Sequence, residues 1–140
     1  MDLQTVPFFV EACSPEDEKL LVEFAGKLSN NVQTLAFEKR KYMHLAAVFA
    51  CNFSNHMYVL ACKLLEEKHI PHNVLFPLID ETAAKIHSLS PLKAQTGPAV
   101  RYDLNVLNWQ MELLTDPAIK EIYQLISQNI YKEANEAPNN

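Results

Sequence analysis

"EKRKYMHLAAVFACNFSNHMYVLACKLLEEK", residues 38–68, decides how the rest of this chain is read. It predicts one long helix of about 46 Å at 1.5 Å per residue, closed before Pro71, because the residue before a proline avoids helical geometry. Its middle turns are apolar enough for a core helix, yet they carry His44, Asn52, Asn55 and His56. A buried polar group without a partner costs roughly 1–3 kcal/mol. These residues are therefore expected either to be paired in a structural network or to line a cleft. At about 100° per residue, His44, Cys51, Asn52 and Asn55 fall within an arc of roughly 100°, with His56 at its edge. Phe49, Phe53 and Leu60 lie opposite. The stripe holds amides and imidazoles but no acid, which suits hydrogen bonding to a neutral or anionic ligand.

Upstream, "VPFFVEA" (6–12) reads as a buried strand, and "VQTLAF" (32–37) as a second. Between them Ser14 can cap a helix that starts at Pro15, has acids in its first turn and stops near Asn30 and Asn31. Strand, helix and strand of this length form a parallel crossover unit. Two parallel strands and one helix cannot cover both sheet faces. Residues 1–37 are thus expected to be the last piece of a larger α/β sheet.

Downstream the pattern is helical. A second helix is expected over 72–89, with Pro77 forcing a kink or a late start, and Glu81 able to pair with Lys85. "SPLKAQTGPAVRYD" (90–103) is a punctuated connection. In it Gln95 and Thr96 offer polar groups, Gly97-Pro98 sets a turn, and Arg101 offers a fork for an anion or an ion pair with Asp103. Asp103 can cap a third helix and Asp116-Pro117 can open a fourth, whose Ile119, Ile122, Ile126 and Ile130 share a stripe. The helical domain is expected over 38–134, with 135–140 frayed.

Composition narrows the function. With 140 residues and 49% hydrophobic content, one domain with a real core is the default. A net charge of −5 leaves no basic surplus for nucleic acid. Two glycines, Gly26 and Gly97, cannot build a dinucleotide or phosphate loop, so no tightly held cofactor is expected on this chain. The histidines have no metal-ligand spacing, and Cys13, Cys51 and Cys62 are expected to be buried structural thiols. No unbroken apolar run approaches the ~20 residues that span a bilayer, and no signal peptide heads the chain, so a cytoplasmic protein is expected.

"HLAAVFACNFSNHMY" and "PLIDETAAKIHSLSPLKAQTGPAVRYD" closely resemble the helical C-terminal domain of a family of bacterial proteins assigned as NADP-dependent oxidoreductases. That family is related to 6-phosphogluconate and 3-hydroxyisobutyrate dehydrogenases and to pyrroline-5-carboxylate reductase. The resemblance implies a mainly α fold, a helical bundle like the 6-phosphogluconate dehydrogenase C-terminal domain with a short β-α-β remnant. It further implies a Rossmann domain and NADP in the full-length protein, a small-molecule substrate and a homodimer. The matching helix positions are His44, Asn52, Asn55 and His56. On this reading Asn55 faces the Gln95–Arg101 loop across a cleft and bonds the substrate's reacting atom. His44 or His56 gives the proton, and Asn52, Gln95, Thr96, Gly97 and Arg101 bind substrate. The stripe has no lysine, unlike the catalytic helix of many superfamily dehydrogenases. The competing reading is a non-catalytic dimerisation module with a structural polar stripe.

Overall fold

The computed structural model describes residues 2–136. It is mainly α-helical, with one two-stranded parallel sheet. The chain divides into two compact units, residues 1–59 and 60–140, and each is described by itself.

In the first unit, β1 (Phe8–Val10) and β2 (Val32–Thr34) pair in parallel, Phe8 opposite Val32 and Val10 opposite Thr34. Their crossover is α1 (Pro15–Gly26), which starts as its sequence dictates. The Ser14 hydroxyl accepts from the Asp17 amide at 3.1 Å, and Pro15 occupies a position whose N–H would have no partner. Ser29, 1% exposed, closes the loop between α1 and β2. Its hydroxyl donates to the Val6 carbonyl and accepts from the Asn31 amide at 3.0 Å. Ser29→Ala would strand both groups, so it is expected to lower the unfolding free energy by about 1–3 kcal/mol in urea denaturation. An unchanged midpoint would show that water replaces the hydroxyl at no cost.

The helix that follows is entered by a long-range contact. Ala36, at the N-cap, has no side chain for the task. Glu11, from the end of β1, takes its place: its carboxylate accepts from the Phe37 amide at 2.8 Å and pairs with Arg40 at 2.8 Å. Arg40 also donates to the Leu35 carbonyl at 2.6 Å. From there α2 (Phe37–Ala47), a π-helical segment (Val48–Phe53) and α3 (Ser54–Glu66) run as one helix of 30 residues.

Two expectations about this helix are corrected. It is not buried: no residue of α2, the π segment or α3 is fully covered. Likewise Cys13 and Cys51 are exposed and Cys62 only half-buried, because a small apolar side chain is covered only where other elements pack on it, which spacing along the chain does not report. Secondly, the helix is long and apolar enough to cross a membrane by length and composition alone. Counting unbroken apolar runs missed this, because polar residues interrupt each run while the average stays high.

In the second unit, a 3₁₀ turn (His72–Leu75) precedes α4 (Phe76–Lys85), so Pro77 sits in the first turn and gives the late start rather than a kink. Glu81 and Lys85 pair at 3.4 Å. The connection contains a short helix, α5 (Pro91–Ala94). Asp103 caps α6 (Leu104–Leu113) through the Val106 amide at 3.3 Å. Asp116 accepts from the Ala118 amide at 2.8 Å at the start of α7 (Pro117–Glu136). The Tyr123 hydroxyl donates to the Gln110 side chain at 2.6 Å and ties α7 to α6. Ile119, Ile122 and Ile130 are half-buried, whereas Ile126 is 41% exposed. Asn135 and Glu136 lie in α7, and the rest of the expected frayed tail, 137–140, is outside the described residues.

The core is small. Among the described residues only Ala25, Ala99, Leu107 and Leu114 are buried apolar side chains. The accessible surface is 11240 Å². Even two separate folded units of these sizes would expose roughly 9,000 Å².

Candidate polar site on the long helix

His44, Asn52, Asn55 and His56 are all exposed, as is Cys51. Among the described residues none of the four polar side chains takes part in a hydrogen bond or ion pair, and no buried polar side-chain atom lacks a partner. Among the described residues, the stripe therefore forms no hydrogen-bonded network. It is a row of donors and acceptors presented outward on a helix.

The π segment changes where these groups point. A π turn closes i→i+5 rings, so it takes in an extra residue and sets everything beyond it back by about 100°. On a uniform α-helix Asn55 is central and His56 marginal. With the π segment, His44, Asn52 and His56 come within about 30° of one another, while Cys51 and Asn55 lie together some 80° round. One contact reports the widened turn: the Ser54 hydroxyl donates to the carbonyl five residues back, Phe49, at 3.4 Å. The Phe49 and Phe53 rings, four residues apart, meet edge to face with centroids 4.9 Å apart. Sequence did carry a signal for it: both His44-Asn52-His56 and Leu45-Phe49-Phe53 recur at multiples of four, a spacing that drifts about 40° per step on a regular α-helix.

The second group of expected site residues lies in the other unit. Gln95 and Thr96 are exposed, and Gly97 takes φ +108°, a backbone conformation that side chains rarely allow. Pro98–Asp103 forms a tight turn, closed by bonds from the Asp103 amide to the Pro98 carbonyl at 3.0 Å and from the Tyr102 amide to the Ala99 carbonyl at 3.2 Å. Tyr102 sits at φ +53°, its ring 4.5 Å from that of Tyr131. Arg101 is exposed and, among the described residues, unpaired. The ion pair with Asp103 weighed from the sequence is absent, because Asp103 is used as the α6 cap.

The sequence reading passed over one further feature of this unit. Cys62, Glu66, His69, Ile70, Pro71 and His72 line an open cavity of about 440 Å³. His69, at φ +57°, terminates the long helix where glycine is usual. The Ile70 amide bonds the Leu65 carbonyl at 2.9 Å and the His69 amide bonds that of Glu66 at 3.0 Å. Among the described residues no three His, Cys, Asp or Glu side chains are placed to hold a metal ion.

The model of a domain of unknown function, DUF2520, matches residues 6–130. A crystal structure of a putative NADP oxidoreductase from Bacteroides fragilis is similar over 94% of this chain, with 50% identity and a TM-score of 0.90. The match covers 51% of that protein, so this chain spans about half the length of the relative. No curated protein matches.

Proposed function

The chain belongs to the DUF2520 family, and from that premise we propose that it is the substrate-binding and dimer-forming domain of an NADP-dependent oxidoreductase. The reading is supported above all by the exposed stripe of His44, Asn52, Asn55 and His56, whose side chains have no hydrogen-bond or ion-pair partner among the described residues. Amide and imidazole groups can hold a substrate carbonyl or imine, and an imidazolium N–H can donate the proton a reduction consumes. In the other unit, and taken by itself, Arg101 is exposed on the turn that follows Gln95, Thr96 and Gly97, and its planar fork can hold a carboxylate through two bonds.

NADP itself would be held by a Rossmann domain of the kind the sequence resemblance implies; this chain contributes the substrate side. The exposed apolar surface is assigned to protein partners rather than to a bilayer. His44, Asn52, Asn55 and His56 occupy the middle turns of the helix that, among the described residues, is long and apolar enough to span a membrane, where polar groups are expensive.

The test is a double substitution, Asn52→Ala with Asn55→Ala, in a protein that also carries the nucleotide-binding half. It is expected to lower kcat/KM by roughly ten- to a hundredfold, as losing a polar contact worth about 1–3 kcal/mol requires, with Tm nearly unchanged. Normal turnover with Tm several degrees lower would make the amides structural and overturn the reading.

A further inference from the structure

We infer that the π segment is the positioning device of the proposed site, and that it selects Asn52 and His56 as the pair that hydrogen-bonds the substrate's reacting carbonyl or imine. The inference rests on the functional reading above and deepens it.

A π segment is a rare departure from α geometry, found mostly as single turns and often at functional sites. Here it lies over Val48–Phe53, inside the polar stripe. Neither glycine nor proline accounts for it, since residues 38–70 contain neither. Its consequence is a change of partners along the helix. Asn52 and His56 stand one turn apart on one line, their Cβ atoms about 6 Å from each other, a separation at which two side chains reach the same small group. The Asn52 amide can donate to a carbonyl oxygen or imine nitrogen while a ring N–H of His56 donates to the same atom. His44 shares the line but lies about three turns before His56, roughly 16–18 Å along the axis, too far to reach that atom. Asn55, some 80° round, stands off the line that joins Asn52 to His56. The role read for Asn55 from uniform helix geometry thus passes to Asn52, and the proton-donor role falls to His56 rather than His44.

The assignment is tested by NMR on the 140-residue chain, following the side-chain amides of Asn52 and Asn55 and the rings of His44 and His56 during titration with pyruvate, the probe chosen because it joins one ketone to one carboxylate. The Asn52 and His56 signals are expected to move together, with the Asn55 and His44 signals changing several-fold less. Asn52→Leu is expected to weaken the His56 response at least fivefold, and Asn55→Leu to leave it intact. Preserved signal dispersion elsewhere shows that each variant folds. Movement confined to Asn55 or His44, or a His56 response that survives Asn52→Leu, overturns the assignment while leaving the stripe as a site. No movement of any stripe signal at 50 mM pyruvate removes both the assignment and the reading it rests on.

Discussion

Light scattering at tens of micromolar protein is expected to give twice the 15.9 kDa chain mass. The chain exposes 11240 Å², over 2,000 Å² more than two folded units of its size require. A standard interface covers roughly 800 Å² on each partner, so a second copy can be accommodated with surface left for a nucleotide-binding domain. Leu45, Phe49 and Phe53, each at least half exposed, form one ridge because the π segment removes the drift of their four-residue spacing. A symmetric pairing of such ridges is the commonest way to cover them. Phe49→Glu places a charge on each side of that contact. A loss of about 2 kcal/mol per copy would weaken the dimer roughly a thousandfold and leave a mass near that of one chain. The substitution is at an exposed helical position, so circular dichroism should remain that of the parent. A wild-type mass near 16 kDa, of one chain, would refute the dimer; a Phe49→Glu variant that stays dimeric would move the interface to another face.

The second large effect concerns NADPH. Calorimetry on the isolated 140 residues is expected to show no binding at micromolar concentrations. Joining the same residues to the nucleotide-binding half of a relative should restore a micromolar Kd. Micromolar affinity corresponds to about −8 kcal/mol, most of which comes from backbone amides and a helix N-terminus gathered round the pyrophosphate by closely spaced glycines. This chain has Gly26 and Gly97, one in a helix and one in the turn before Pro98, and neither opens a strand–turn–helix phosphate loop. The expected difference in Kd is at least a thousandfold. A micromolar Kd for the chain alone would mean that NADPH is held by groups outside any glycine-rich loop, and the division of labour proposed here would fail.

The sequence by itself determined the helices whose ends are fixed by near neighbours. Ser14-Pro15, Asp103 and Asp116-Pro117 each place the capping oxygen or the missing N–H within three residues of the amides concerned, so the start of α1, α6 and α7 could be read directly. The parallel crossover was legible for a related reason: two short β-branched runs with one helix between them leave little choice of connection. The sequence also supplied the members of the polar stripe. Tertiary structure decided what they do. The cap of α2 comes from Glu11, 26 residues away, and no local pattern announces it. The exposure of the long helix depends on which surfaces meet it, whereas apolar composition reports only that something should. The phase of the stripe was decided by the i→i+5 turn at Val48–Phe53. One such turn differs from an α turn by a single residue taken up, a choice that the propensities of alanine, valine and phenylalanine do not make. That one residue exchanges Asn55 for His56 on the line with His44 and Asn52, because helical direction accumulates along the chain and a local change of about 100° is inherited by every residue after it.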